Sequence, residues 1–243
     1  MRSSTSRDLE RFRWTHPRLP RHTSIAVCPA EAVDRLGLAR LSPTDRAGAT
    51  GLLLALLSEE FAAPADRINL HRPRPEAHFR YGHRPATATA GPGTPILLTS
   101  LARAPGCIAA AVSRGRIGID IEQTQTDEQG RDLLTLVHPA DRAAARFAEA
   151  GPGWVATMIW TRIEAGVKLR GTGLRRDPAS LRVGVGPAPL PLARVQTLTI
   201  GCDRRGRTAS SVTENSVSDR SVSEYSVSDF AVSVAWESRL LRS

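Results

Sequence analysis

The sharpest alternation of apolar and polar residues in the chain lies at positions 117–122. Three isoleucines fill every second position, with a glycine and two acids between them: Ile117, Gly118, Ile119, Asp120, Ile121 and Glu122. A period of two is typical of a β-strand, whose successive side chains point to opposite faces. The pattern therefore predicts a strand that turns its isoleucines toward a core and both carboxylates toward the other side.

A helix is predicted farther along the chain, from about 154 to 170. Trp160, Glu164 and Lys168 are spaced four residues apart within it, so they stack along one side of the helix. If this helix packs on the strand at 117–122, three carboxylates and one ammonium group converge. Three oxygen donors of that kind suit a hard cation, and Mg²⁺ fits best because it keeps other coordination positions for water and phosphate oxygens.

The remaining hydrophobic runs predict further strands and a second helix. Strands are expected at 23–27, 95–101, 107–112, 181–185, 195–200 and 230–236, with 95–101 and 107–112 paired as a hairpin. Ser42 is a good N-cap, Pro43 suits the first helical position and Asp45 suits the third, which predicts the start of a helix. The apolar run at 52–57 places the body of that helix in a core.

Two segments show no pattern that predicts packed structure. Residues 1–22 carry six arginines against two acids, which predicts a basic, disordered arm. Residues 211–230 repeat a Ser-Val unit every five positions, a period that matches neither a helix nor a strand. Because this repeat offers little apolar surface to offset chain entropy, we expect a mobile, low-complexity insertion at about 203–229.

Composition adds one informative residue. The formal net charge is +9, and the 33 Lys and Arg residues include a single lysine, Lys168. Arginine keeps its proton in proteins, whereas lysine can release one, so this lone lysine supports a chemical role for the predicted helix. A basic surface favours acidic partners, and charge alone does not choose between nucleic acid, coenzyme A phosphates and acidic carrier proteins.

The chain offers no signal for a membrane or for export. No apolar run approaches the ~18 residues that a membrane-spanning helix needs, and the N-terminus lacks the apolar core of a secretory signal. The three cysteines, Cys28, Cys107 and Cys202, are far apart and odd in number, as in a reducing compartment. We therefore expect a cytoplasmic protein with no membrane partner.

The predicted strand and helix together resemble the signature of the 4′-phosphopantetheinyl transferases, (I/V)-G-(I/V)-D followed after a spacer by W-x-x-K-E-(A/S)-x-x-K. The chain reads I-G-I-D at 117–120 and W-T-R-I-E-A-G-V-K at 160–168. The residues G-T-G-L at 171–174 and Asp177-Pro178 also fit the usual ending of the family. One position departs from the signature, since Ile163 stands where the family has lysine.

The resemblance implies a fold as well as a chemistry. It points to the larger, two-lobed (surfactin-synthetase-activating) type, an α+β fold in which one chain forms two similar lobes related by pseudo-twofold symmetry. Each lobe is expected to be a small, mostly antiparallel sheet packed against a long helix. The lobes would span 23–113 and 114–243, and the chain would act as a monomer with coenzyme A in the cleft between them.

The chemistry that the resemblance implies is Mg²⁺-dependent transfer of 4′-phosphopantetheine from coenzyme A to a serine of an acyl or peptidyl carrier protein. This reaction releases 3′,5′-ADP and serves secondary metabolism. Asp120, Glu122 and Glu164 would hold the magnesium ion. Glu164 would also be the base for the incoming hydroxyl, and Lys168 would neutralise or protonate the departing phosphate.

The resemblance also places coenzyme A contacts. Arg46 lies in an L-S-P-x-D-R-A helix opening, Arg84 lies in a G-H-R-P turn similar to the family's G-(K/R)-P, and Arg103 occupies a position where many relatives have histidine. Each arginine would pair with a phosphate. Asp141 matches a family acid that lies near the metal, with stabilisation of a helix N-terminus as the alternative.

Two other functions stay open. A relative that has lost turnover would bind coenzyme A or a carrier protein without transfer, and the departures at Ile163 and Arg103 favour it. An Arg-rich nucleic-acid-binding protein would bind with a steep dependence on salt. That function gives no reason for clustered acids, so we expect no nucleic-acid partner.

Overall fold

Two antiparallel sheets and six helices make up the described part of the chain, which is an α+β fold. The structure is a computed structural model that describes residues 9, 12–14, 19–41, 48–71, 86–171, 177–185, 195–202 and 229–237. The predicted α+β class is therefore confirmed. The similarity of the two lobes and their boundary near residue 114 stay predictions.

The first sheet has six strands and the second has three. In spatial order the first contains β1 (Arg13–Trp14), β2 (Thr23–Pro29), β6 (Cys107–Ser113), β5 (Leu97–Ala104), β4 (Ala86–Thr89) and β3 (Asn69–His71). The second contains β7 (Ile117–Gln123), β9 (Phe230–Glu237) and β8 (Val195–Cys202), with β9 in the middle.

Two of the helices are long, and each packs on one sheet. The helices are α1 (Ala32–Arg35), α2 (Leu38–Leu41), α3 (Ala49–Phe61), α4 (Asp127–Leu134), α5 (Pro139–Ala145) and α6 (Pro152–Arg170), with 3₁₀ turns at Ala65–Arg67 and Pro178–Ser180. Leucines of α3 pack on the six-stranded sheet, and α6 packs across β7 and β9. None of the described helices is both long and apolar enough to cross a bilayer.

The two sheets pack against each other through β6, whose seven residues are all buried. Because side chains alternate along a strand, β6 serves two cores. Ile108, Ala110 and Val112 pack with α3, whereas the intervening Ala109 and Ala111 pack with isoleucines and valines of β7 and β9. A strand buried on both faces reads as a continuous apolar run, which explains why the sequence C-I-A-A-A-V shows no alternation.

Most predicted strands are confirmed, but the one at 181–185 is wrong. Residues 181–185 form no strand in the structure. The N–H groups of Val183 and Gly184 donate to the two carboxylate oxygens of Asp141, at 2.7 and 3.1 Å. The hydrogen bonds that a neighbouring strand would have satisfied are thus satisfied by a side chain, and an apolar run cannot reveal that choice.

Residues 1–22, predicted to be a solvated, partly disordered arm, include packed residues in the part that the structure describes. Arg13–Trp14 pair with β2, and Leu9 and Trp14 are buried. Arg13 forms an ion pair with Glu59 near the end of α3 and donates to Ser24 Oγ at 3.2 Å. Apolar side chains among the arginines give this segment the surface it needs to pack. Apart from its last residue, Asp229, the predicted insertion at about 203–229 lies outside the described residues.

We expect Arg13→Met to lower the free energy of unfolding by about 1–3 kcal/mol, because Glu59 and Glu60 would lose their half-buried cationic partner. Urea denaturation measures the change. Arg21→Met is the matched control, since Arg21 is exposed and its loss should stay within about 0.5 kcal/mol. Equal values for the two variants would show that the arm is not anchored by Arg13.

Candidate functional site

Gly118 determines how closely α6 approaches β7. A Cβ atom at this position would lie 2.0 Å from the carbonyl oxygen of Ala165 and 2.6 Å from the amide nitrogen of Leu169. Ala235, the partner of Gly118 on β9, packs against the same two residues. The backbone of α6 therefore crosses the face of the sheet that also bears Asp120.

The two faces of β7 are divided as the alternation predicts. Ile117, Ile119 and Ile121 are at most 3% exposed and pack in the apolar cluster between the sheets. Asp120 points to the opposite face, toward α6, and is only 4% exposed. A carboxylate in this position has left water, so its partners decide its charge.

One stripe of α6 reaches solvent beside β7. Trp160, Glu164 and Lys168 are half-buried, whereas most of the other side chains of this helix are buried. Their spacing of four residues stacks them on one side of the helix, as the sequence predicts. The stripe is therefore the part of α6 that faces both the strand acids and solvent.

A direct ion pair joins the strand to the helix. Lys168 Nζ donates to Asp120 Oδ1 at 2.6 Å across 48 residues of sequence. The lysine side chain is 32% exposed and that of the aspartate 6%. Asp120 Oδ2 is buried and has no hydrogen-bond partner. One oxygen of this carboxylate is thus paired with a cation, and the other has no hydrogen-bond partner.

Electrostatic coupling connects Glu122 and Glu164 to this pair. Burial raises the pKa of Asp120 from 3.8 to about 7; Lys168 opposes the shift, and Glu122 and Glu164 add to it. Burial also raises the pKa of Glu122, with Glu164 adding to the effect and Lys168 opposing it. We call Asp120, Glu122 and Glu164 the acidic cluster, since the three carboxylates are close enough to repel one another.

The acidic cluster does not form a ready-made metal cage. Within the ranges that the structure describes, no three His, Cys, Asp or Glu side chains are grouped closely enough to hold a metal ion. The chemistry of the cluster nevertheless suits Mg²⁺, which prefers carboxylate oxygens. A cation would satisfy Asp120 Oδ2 and offset the mutual repulsion. Magnesium ligation by the three acids stays a prediction.

A groove of about 620 Å³ opens beside the acidic cluster. Its lining residues are Glu122, Gln125, Gln129, Asp132, Leu133, Thr135, Leu136, Thr157 and Trp160. Leu136 is 55% exposed, so the groove offers apolar surface at its rim and a carboxylate at its edge. Sequence reasoning missed the groove, although Thr126 and Gln129 form a capping box whose spacing could have located the start of α4.

The structure describes one of the three arginines that are predicted to contact coenzyme A. Arg46 and Arg84 lie outside the described residues. Arg103 is exposed at the end of β5 and alternates with Ala102, which packs toward β7. Because neighbouring residues in a strand point to opposite faces, Arg103 lies on the other face of the six-stranded sheet from the acidic cluster. Its contact with coenzyme A stays a prediction.

The position that departs from the transferase signature is part of a core. Ile163 is fully buried among apolar residues on the side of α6 away from β7. Arg162 does not restore a positive charge beside the acids, since its side chain is 1% exposed and donates to Thr199 Oγ1 and the Gly184 carbonyl. Asp141 binds the 183–184 backbone instead of joining the acidic cluster.

The chain matches no family model, and no curated protein matches it. The assignment of a function therefore depends on the residues and their arrangement.

We expect Gly118→Ala to destabilise the fold by about 2–4 kcal/mol, because the new methyl group would overlap the backbone of α6. Gly115→Ala is the matched control, since nothing lies within 4 Å of a Cβ atom there. Urea denaturation of both variants measures the difference. A mild effect at both positions would contradict the close approach of strand and helix.

We expect Asp120→Asn to stabilise the metal-free protein above neutral pH. The folded protein keeps a proton on Asp120 up to a pKa of about 7, whereas an ordinary aspartate loses it near 3.8. Between these values the folded state binds more protons, so the stability of the wild type falls as pH rises. Asparagine removes this loss, and the variant should gain roughly 2–4 kcal/mol at pH 8 and almost nothing at pH 4.

Denaturation at a series of pH values in the presence of a chelator tests this expectation. Asp66→Asn is the control, because Asp66 is exposed in the 3₁₀ turn Ala65–Arg67, so this variant removes a surface carboxylate instead of a buried one. A constant difference between Asp120→Asn and the wild type from pH 4 to pH 8 would contradict the buried, repelled carboxylate.

Proposed function

We propose that the chain transfers 4′-phosphopantetheine from coenzyme A to a serine of a carrier protein. The contact between Lys168 and Asp120 carries this proposal, because it joins the two sequence motifs that the resemblance rests on. This ion pair supports the proposal that the two motifs form one site. The two-lobed arrangement with coenzyme A in the cleft is part of the same proposal.

Asp120, Glu122 and Glu164 are the residues that hold Mg²⁺ in this proposal, and the unsatisfied oxygen of Asp120 supports it. A bound ion would supply positive charge against the pyrophosphate of coenzyme A. The serine hydroxyl of the carrier protein attacks the phosphorus that bears the pantetheine arm. The bond from that phosphorus to 3′,5′-ADP breaks, and 3′,5′-ADP leaves.

Two side chains of the protein take part in the proton transfers. Glu164 accepts the proton of the attacking serine hydroxyl, since it belongs to the acidic cluster and is half-buried at the solvent side of the helix. Lys168 neutralises or protonates the departing phosphate, and its side chain is partly exposed to solvent. The groove beside Glu122 and Trp160 provides apolar surface for the carrier protein. The groove lining itself carries acids and no bases, so attraction of an acidic carrier protein would come from the +9 charge of the rest of the chain.

A catalytically weakened relative is the second candidate. Ile163 is fully buried and Arg162 is bound elsewhere, so no positive charge replaces the lysine of the signature at this point of the helix. Such a relative would bind coenzyme A or a carrier protein and transfer nothing.

Incubation of the full chain with coenzyme A, an apo carrier protein and Mg²⁺ tests the proposal. We expect the carrier protein to gain the mass of the phosphopantetheinyl arm, and a chelator to abolish the gain. Glu164→Gln should slow transfer by about 10²–10⁴-fold, the usual contribution of a general base. Glu149→Gln is the control, since Glu149 is exposed after α5 and should transfer at the wild-type rate.

The outcomes separate the candidates. Binding of coenzyme A or the carrier protein without a mass gain would favour the weakened relative. Binding to DNA or RNA that weakens steeply with salt, with no effect of Mg²⁺ or coenzyme A, would favour a nucleic-acid-binding protein.

A further inference from the structure

A chain of four polar side chains crosses the buried interface between α6 and the three-stranded sheet. Arg162 Nε donates to Thr199 Oγ1 at 2.8 Å. Thr199 Oγ1 lies 2.7 Å from Ser233 Oγ, which lies 2.8 Å from Thr161 Oγ1. Thr161 Oγ1 donates to the carbonyl oxygen of Met158, one turn earlier in α6, at 3.0 Å. This hydrogen-bond chain therefore starts and ends on α6 and passes through β8 and β9.

Only one assignment of donors and acceptors satisfies all the hydrogen bonds of this chain at once. Each hydroxyl has one proton to donate. Thr161 gives its proton to Met158, so Ser233 must donate to Thr161 and Thr199 must donate to Ser233. Arg162 then donates to Thr199. Every hydroxyl gives one bond and receives one, so a single arrangement satisfies the whole chain and each bond strengthens the next.

These polar groups occupy buried positions that apolar residues usually fill. Thr161 and Ser233 are fully buried, and Arg162 is 1% exposed. Ser233 is surrounded along β9 by alanine, valine and phenylalanine. Burial of polar groups opposes folding unless each one finds a partner. An apolar interface would allow α6 to rotate or slide by small steps, whereas a directed hydrogen-bond chain is satisfied in one position only.

The hydrogen-bond chain lies beside the acidic cluster. Asp120 lies directly opposite Ser233 in the ladder of β7 and β9, and Ser233 lies directly opposite Thr199 in the ladder of β8 and β9. Residues directly opposite each other share one face of a sheet. The three side chains therefore form one row beneath α6, in which Asp120 binds Lys168 at one end and Thr199 binds Arg162 at the other.

From this row we infer that Arg162, Thr199 and Ser233 are positioning residues, which fix the rotation of α6 on the sheet and thereby hold Glu164 and Lys168 against Asp120. With side chains included, a helix has a radius of about 5–6 Å, so a rotation of about 20° moves the end of a side chain by about 2 Å. A displacement of about 1 Å in a reacting group can reduce a rate about 10²-fold.

The Arg162 end of the hydrogen-bond chain is also held by a loop. Arg162 Nη1 donates to the Gly184 carbonyl at 2.7 Å, and the Gly184 amide donates to the buried carboxylate of Asp141. Gly184 has a φ of +77°, a conformation that favours glycine. The guanidinium group is thus held from the loop side and from the sheet side, so it cannot follow a rotating helix.

Four substitutions test the inference in the full-length protein. Thr199→Val keeps the shape of the side chain and removes the hydroxyl, whereas Thr199→Ser restores it. Ser113→Ala is the matched control, because Ser113, in the six-stranded sheet, is 1% exposed and its hydroxyl bonds with the Thr23 hydroxyl and the Gly115 amide. Ser233→Ala removes the middle of the chain and replaces Thr199→Val if that variant does not fold.

The single lysine of the sequence provides a readout that does not require catalysis. Protein labelled with ¹³C-lysine gives one side-chain Cε signal in NMR spectra, and Asp120→Ala shows where that signal lies without the ion pair. We expect Thr199→Val to move the signal toward the Asp120→Ala position, and Thr199→Ser and Ser113→Ala to leave it in place. A wild-type signal in Thr199→Val and Ser233→Ala, despite lower stability, would overturn the inference.

A second readout rests on the proposed function. We expect Thr199→Val to lower kcat for phosphopantetheinyl transfer at least about tenfold and to change KM for coenzyme A less than about twofold. An unchanged kcat would also overturn the inference. If the wild type transfers nothing, the proposed function fails, and the lysine signal still decides whether the chain positions Lys168.

Discussion

The contact of the α6 backbone with β7 at Gly118 is the constraint on which the candidate site depends. A side chain at this position would collide with the carbonyl oxygen of Ala165 and push the helix away from the strand. The close approach brings Lys168 within 2.6 Å of Asp120. It also removes Asp120 from water, since the helix covers it. One missing Cβ atom thus accounts for both the meeting of the two motifs and the electrostatic state of the acid.

The burial of Asp120 beside two other acids destabilises the folded protein but suits a functional site. A buried carboxylate with one satisfied oxygen, repelled by two neighbouring acids, raises the free energy of the folded state. Groups with such shifted pKa values cluster at functional sites, and a cation or substrate phosphate can relieve the strain. An ordinary helix with a solvated Glu–Lys pair would not need to bury an aspartate beneath it.

The sequence predicted the strand and helix of the site because their periodicities are local. The alternation of isoleucine with Gly118, Asp120 and Glu122 is visible in the chain, and so is the spacing of Trp160, Glu164 and Lys168. The strand predicted at 181–185 was wrong because its backbone binds Asp141, a partner about 40 residues away. The row formed by Asp120, Ser233 and Thr199 depends on strand register, which no local pattern reports.

The small residues of β6 have a consequence for folding. Alanines on both faces of this strand leave little room between the layer packed on α3 and the layer packed on β7 and β9. Because β6 contributes one face to each layer, loss of either layer would expose part of the other to water. We therefore expect the two sheets to melt in a single cooperative transition. Substitution of Ala110, on the α3 side of β6, by a larger residue would then also destabilise the packing of the three-stranded sheet.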